Sequence, residues 1–253
     1  MRIPTMAATV ERRLLVNYRV APDIIASMLP APFRPQLAGG AAVAGICLIR
    51  LGDLRPAGLP AAVGIRTENA AHRIAVEWDA AGGGPARTGV FIPSRHTASR
   101  PTAWFGGRLF PGMHRYARFS VHETGRDLRV AFIADNGSDN VDVALSVADR
   151  WPGSALFADL AEASEFFRVG AAGYSVTRDP HRLDGLELRT TSWQVEAGTV
   201  SRAASSFFDD PRVFPPGTAQ LDTALIMRDV PVTWHGLPPM HTGNTTRSAA
   251  TTT

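Results

Sequence analysis

The chain has 253 residues, 45% of them hydrophobic and 19% charged, and a formal net charge of +3. That length suffices for a sizeable core, and the small charge, spread without a basic run, argues against nucleic acid as a partner. No apolar run approaches the roughly 18 residues that span a bilayer, and the first residues lack the apolar centre of an export signal.

In chain order, Val10 to Val20 alternates as a half-buried strand, with Val10, Arg12, Leu14, Val16, Tyr18 and Val20 on one side. Glu11, Arg13, Leu15, Asn17 and Arg19 take the other side. Pro22 and Asp23 open a short helix that carries Ile24, Ile25, Met28 and Leu29, and Pro30 stops it. Ala41 to Leu51 is a nearly continuous apolar strand. It contains Cys47, the only cysteine, which fits a reducing cytosol and reads as a buried inert thiol. Residues 63–78 form one long strand or a bent hairpin. On an unbroken strand Arg66, Glu68, His72, Ile74, Val76 and Trp78 face one side, a polar floor running into an apolar wall. A single bulge would break that parity.

Gly82-Gly-Gly-Pro85 is a turn, and Arg87 to Ile92 is the next strand, running on to His96. Residues 103–110 form a short helix or loop. Segments 113–122, 128–134 and 139–147 read as a meander with turns at Thr124-Gly-Arg and Asp135-Asn-Gly. Ser154 is the expected N-cap of a helix over 155–168, with Leu156, Phe157, Leu160, Ala163, Phe166 and Phe167 as its stripe. Further strands fall at about 172–178, 185–197 and 219–230. A single domain over 1–235 is expected, with a disordered tail over 236–253 that has almost nothing to bury. Many short strands with few helices indicate a mainly β, α+β fold: one antiparallel barrel or sandwich.

The chain has no lysine, so all 26 basic residues are arginine. No side chain can form a lysine imine, while arginine keeps its charge and its planar fork for carboxylates. No dinucleotide fingerprint, phosphate loop, zinc-protease motif or hydrolase elbow is present. The seven histidines show no tight metal spacing, and neither metal nor cofactor is expected.

Several stretches together resemble the acetoacetate decarboxylase-like superfamily, and in particular its uncharacterised branch. They are Asn17-Tyr-Arg-Val-Ala-Pro through Leu29-Pro-Ala-Pro-Phe33, Arg66-Thr-Glu-Asn69, Ser154-Ala-Leu-Phe, Glu165-Phe-Phe, Gly173-Tyr-Ser175, Ser206-Phe-Phe and Asp222 to Arg228. The resemblance covers roughly residues 9 to 234. It implies a closed, cone-like antiparallel β-barrel with outer helices and a pocket inside. The decarboxylases use a lysine Schiff base with a second lysine, an arginine and two glutamates. Glu68 matches one glutamate; the arginine falls near Glu11 and Arg12. The second glutamate falls near Gly45 or Ile46 and is missing. The lysine region falls in 94–108, where Arg95, His96, Arg100 and Arg108 stand. Decarboxylation through an imine is excluded.

The residues and the resemblance together nominate Glu68, His96 and His72 as proton-moving groups. His96 follows Val90 and Ile92 in parity, so it is expected to face the pocket. Arg12, Arg50, Arg66 and Arg95 are nominated to hold an anion, with Trp104 lining the substrate. The expected function is a cytoplasmic enzyme acting on a small carbonyl or carboxylic metabolite without an imine. Cyclisation, dehydration, isomerisation and aldol-type chemistry fit equally, and a natural-product pathway is a plausible setting. The alternative is a non-catalytic small-molecule binder on the same barrel. A homo-oligomer is compatible with the sequence; membrane and nucleic acid are not expected partners.

Overall fold

The computed structural model describes residues 4–80, 82–105 and 111–242. The elements in order are β1 (Met6–Val20), α1 (Pro22–Met28), β2 (Arg34–Pro35), β3 (Leu37–Ala38), β4 (Ala41–Pro56), β5 (Ile65–Trp78), β6 (Arg87–Thr97), α2 (Arg100–Phe105), β7 (His114–Thr124), β8 (Asp127–Ala134), β9 (Asn140–Val147), α3 (Leu160–Val169), β10 (Ala172–Val176), β11 (Arg182–Arg189), β12 (Glu196–Ser205) and β13 (Ala219–His241). Residues 63–78 are thus a strand from Ile65 onward and not a hairpin. The expected meander is present, with its turns where the glycines put them. The expected strand 185–197 divides instead into β11 and the start of β12. None of the described helices is long and apolar enough to cross a membrane.

One hydrogen-bonded circuit runs β6–β7–β8–β9–β12–β13–β1–β4–β5 and returns to β6. A second leaves β6 through β10 and β11 and rejoins β13. Both share the wall β13–β1–β4–β5–β6. The sheet is mixed where an antiparallel one was expected: β6 pairs in parallel with β10 and with β7. Each parallel pair is reached by a long crossover, which is what parallel pairing needs.

The shared wall is buried on both faces. Leu14, Val16, Ile46, Leu48, Ile74 and Val76 face the main core with Leu128, Val130 and Phe132 of the meander. Leu15, Val43, Cys47 and Ala75 face the other way, under Phe157 and Phe167 beside and on α3. Met6, Val10, Leu51, Leu54, Met227 and Val230 continue that second side. Burial on both faces accounts for the unbroken apolar run of β4, because no position can be left polar for water.

Two of the wall's irregularities change the face of residues that bear on the site. Val10 pairs with Leu51 and Arg12 with Arg50, so Glu11 has no partner on β4. Val10 therefore faces the second side while Arg12, Leu14 and Val16 face the main core, where simple alternation put all four together. On β6, Ile92 and Pro93 stand opposite the single residue Arg73, since His72 pairs with Ser94 and Ile74 with Phe91. Proline cannot donate to the ladder, and a bulge is where a strand accommodates it.

The helix expected over 155–168 begins at Leu160 instead. Asp159 is its N-cap, accepting from the Glu162 N–H at 2.8 Å, while Glu162 accepts from the Ala158 N–H at 2.6 Å. Ser154 caps a separate turn, accepting from the N–H groups of Leu156 and Phe157. The expected tail also differs. β13 continues to His241 and pairs with β11 as far as Arg182 opposite His241. Leu237 and Met240 pack against the main core. Residues 243–253 lie outside the described residues.

Candidate functional site

Glu68 stands in one row with Arg50 and Arg12 across β5, β4 and β1. Its two carboxylate oxygens each accept a 2.5 Å charged hydrogen bond, one from Arg12 Nη2 and one from Arg50 Nε. Glu123 on β7 closes the group, accepting from Arg12 and lying 3.2 Å from Arg50 Nη2. Arg12 is only 1% exposed, and its partners neutralise it. Two cations and two anions satisfy each other here, so the cluster offers no spare charge to a ligand. Arg66 sits at its exposed rim, paired with Glu11 at 2.6 Å.

His72 is fully buried and held by two hydroxyls, Ser94 Oγ at 2.8 Å and Ser205 Oγ at 3.1 Å. Burial pushes its pKa down to about 4, so it is neutral at pH 7. His96 is fully buried too. Its ring lies 4.6 Å from that of Phe132, and Nε2 is 3.1 Å from Asp139, whose carboxyl is held below its ordinary range chiefly by that contact. The β6 bulge separates His96 from the face of Val90 and Ile92, with which it was grouped. Its ring packs into the main core although the residue borders the cavity described next. Trp104 is 84% exposed and does not line that cavity. Arg108 lies outside the described residues.

The cavity, about 170 Å³, lies on the other face of the shared wall. The pocket was expected inside the main barrel. That interior is filled by the aliphatic and aromatic side chains of the main core, whereas on the second side Ala71 leaves space beside larger neighbours. Register defines the cavity floor. Leu15, Cys47, Ala71, Arg95 and His114 form one row across β1, β4, β5, β6 and β7. Arg13, Ile49 and Asn69 form the adjacent row on one side, and Asn17, Gly45 and Arg73 the row on the other. Arg13, Cys47, Asn69, Ala71, Arg73, Arg95 and His114 line the cavity. Leu51, Leu186, Leu188 and Trp234 make its apolar part, and Phe167 of α3 joins them.

The cationic groups here have neutral partners. Arg95 Nε donates to Ser175 Oγ at 2.8 Å. Arg73, 4% exposed, donates to Asn17 Oδ1 and stacks over the Phe167 ring at 4.5 Å. Its Nε has no hydrogen-bond partner. Arg13 Nε donates to Cys47 Sγ at 3.4 Å. No carboxylate lines the cavity among the described residues. Burial lowers the pKa of Arg73 and of Arg95 to about 10, which leaves both protonated at pH 7. His114, opposite Arg95, is pushed down to about 3, first by burial and then by the Arg95 charge.

Of the nominated residues, the structure therefore brings Arg95, and the edge of His96, to the cavity. Glu68, Arg12 and Arg50 come together in their own closed cluster. Arg13, Arg73 and His114 were not nominated. Arg13 was placed on the polar side of an amphipathic strand, and Arg73 lies opposite the parity on which the polar floor was sought. The one available signal was Arg73 set between Ala71 and Ala75, small neighbours that leave room around a charge.

The doubly closed mixed sheet with outer helices, with its polar cavity against the shared wall, has the fold of the acetoacetate decarboxylases. The chain belongs to the family DUF2071, described as an uncharacterized conserved protein, which matches residues 7–222. Among solved structures, it is similar to the acetoacetate decarboxylase of Legionella pneumophila subsp. pneumophila str. Philadelphia 1, at 12% identity and a TM-score of 0.57, covering 93% of this chain and 88% of that one. It is also similar to the enduracididine biosynthesis enzyme MppR in complex with pyruvate, at 15% identity and a TM-score of 0.60, covering 96% and 91%. A third is an acetoacetate decarboxylase-like enzyme from Sphingomonas wittichii RW1, at 13% identity and a TM-score of 0.55, covering 95% and 93%. At these identities the likeness is one of fold. No curated protein sequence matches the chain.

Proposed function

We propose that the chain is an enzyme that moves protons on a small metabolite bearing a carboxylate and a carbonyl, bound in the arginine-lined cavity. The observation that carries this is three arginines around Ala71 that meet no carboxylate among the described residues. A buried cation needs an anion, and a guanidinium fork suits a carboxylate or an enolate. That similar folds belong to enzymes, one of them with pyruvate bound, supports the same class of ligand. The chain has no lysine, so the route is not an imine on its side chains.

In this reading Arg95 holds the carboxylate and stabilises negative charge as it develops on the carbonyl oxygen, while Arg73 and Arg13 add positive potential from the β1 side. His114, beside Arg95 on the neighbouring strand, is neutral, and its N–H polarises the carbonyl oxygen so that water can take the proton from the neighbouring carbon. An enolate formed there is the common first product of the isomerase, dehydratase, cyclase and aldol-type routes. Glu68 and His72 hold the barrel together and stay out of the chemistry.

Pyruvate in D2O tests the assignment, read as loss of its methyl proton signal. The expected result is deuterium incorporation well above the buffer rate, falling at least 100-fold in His114→Gln and in Arg95→Gln. Exchange that survives both variants removes these residues from the mechanism. The second reading, a non-catalytic binder, is favoured by the lack of a carboxylate in the cavity among the described residues. It is the outcome if pyruvate raises the melting temperature and no deuterium enters.

A further inference from the structure

Along β10 and β11 the cavity runs from a polar end to an apolar one. Arg95 is the cavity arginine that reaches β10, through Ser175 Oγ at 2.8 Å, while Arg13 and Arg73 turn to Cys47 and Asn17 on β4 and β1. Going back along the chain from Ser175, Gly173 and Ala171 take the same face by alternation and line the cavity with almost no side chain. Opposite them stand two leucines of β11. Leu186 pairs with Gly173, and the Leu188 N–H donates to the Ala171 carbonyl at 3.2 Å. Glu187 and Arg189 alternate with these leucines and pair with each other at 2.6 Å.

The second closure of the sheet supplies the far end. Trp234 on β13 stands between Leu188 on β11 and Met6 on β1, and all three line the cavity. Ser175 and Ala171 are four residues apart, about 13 Å of strand. A carboxylate held at Arg95 therefore has an apolar trough leading away from it, floored by small residues and walled by leucine.

We propose that the substrate is a 2-oxo acid with an aliphatic tail of about four to six carbons, its carboxylate at Arg95 and its tail running past Leu186 to Leu188 and Trp234. This rests on the carboxylate reading given above and narrows its substrate class. Volume limits the tail to a single chain: a cavity of about 150 Å³ accepts a benzene ring, and this one is about 170 Å³.

Calorimetric titration of the wild-type protein with pyruvate, 2-oxohexanoate and 2-oxooctanoate tests this at fixed ionic strength. Each buried methylene strengthens binding about fourfold, so 2-oxooctanoate should bind at least about 30-fold more tightly than pyruvate, with 2-oxohexanoate between them. Ala171→Leu fills the trough and should bring 2-oxooctanoate to within about threefold of pyruvate, leaving pyruvate affinity as it was. Should that variant fail to fold, Leu188→Ala removes the wall and should weaken 2-oxooctanoate without weakening pyruvate. Equal binding of all three acids overturns the tail and leaves the carboxylate reading standing. A chain-length preference that persists in the folded variant overturns the placement along β10 and β11. No measurable binding of any of the three overturns both.

Discussion

Glu68 and His72 are each held by fixed neighbours, and those neighbours set what each contributes to stability. Glu68 bridges two arginines, so removing its charge leaves Arg12, buried, with Glu123 alone. Breaking a buried ion pair costs 3–5 kcal/mol, and the partial exposure of Glu68 brings the expectation to about 2–3 kcal/mol. Glu68→Gln should lose that much in urea unfolding and keep pyruvate affinity within about twofold. A loss under about 1 kcal/mol would mean the cluster is solvated. His72 has a folded pKa of about 4, against about 6.5 unfolded. Between those values the unfolded chain binds a proton that the native chain refuses, so stability falls as pH drops from 6.5 towards 4. Full titration is worth about 3 kcal/mol, and His114 acts in the same direction. His72→Gln should be less stable at pH 7 yet show a shallower fall in unfolding free energy between pH 6.5 and 4.5. An unchanged slope would place the titration elsewhere.

At the scale of elements, local chemistry decided most boundaries. The meander was legible because β7, β8 and β9 each have one buried and one wet face, and their turns carry glycine. The start of α3 was misplaced because Ser154 and Asp159 are both good N-cap residues and both cap something. Asp159 has the capping partner Glu162 three residues on, and it won. Asp159→Ala should cost about 1 kcal/mol in unfolding free energy. A neutral result would show that α3 is held by Phe157 and Phe167 packing alone. The faces of β1 and β6 were misassigned for one reason. A bulge inserts a residue without leaving a composition signal, and every side chain beyond it changes sides.

For the whole molecule, the second closure matters most. β11 joins β13 through the segment 233–241, which was assigned to the tail beyond 235 for want of residues to bury. Leu237 and Met240 nevertheless pack on the main core, and the segment completes the circuit whose wall holds the cavity. Ending the chain after His235 should lower the melting temperature by about 10 °C, from about 3 kcal/mol of lost burial. Pyruvate should no longer protect it. A full melting temperature in the shortened chain would show that β11 needs no partner there.

The sequence by itself determined the family, the mainly β architecture, the absence of lysine and the wealth of arginine. Those follow from composition, from alternation and from short motifs, all of which are local. It also found Glu68, though as a candidate base rather than the centre of an ion cluster. Only the tertiary structure decided which arginines meet carboxylates and which meet neutral partners. Arg12 and Arg13 are adjacent in the chain, yet one meets Glu68 and Glu123 and the other meets Cys47 at the cavity. The physical reason is that the shared wall is buried on both faces. Alternation along a strand separates two faces, and it cannot say which one the far side of the barrel will fill.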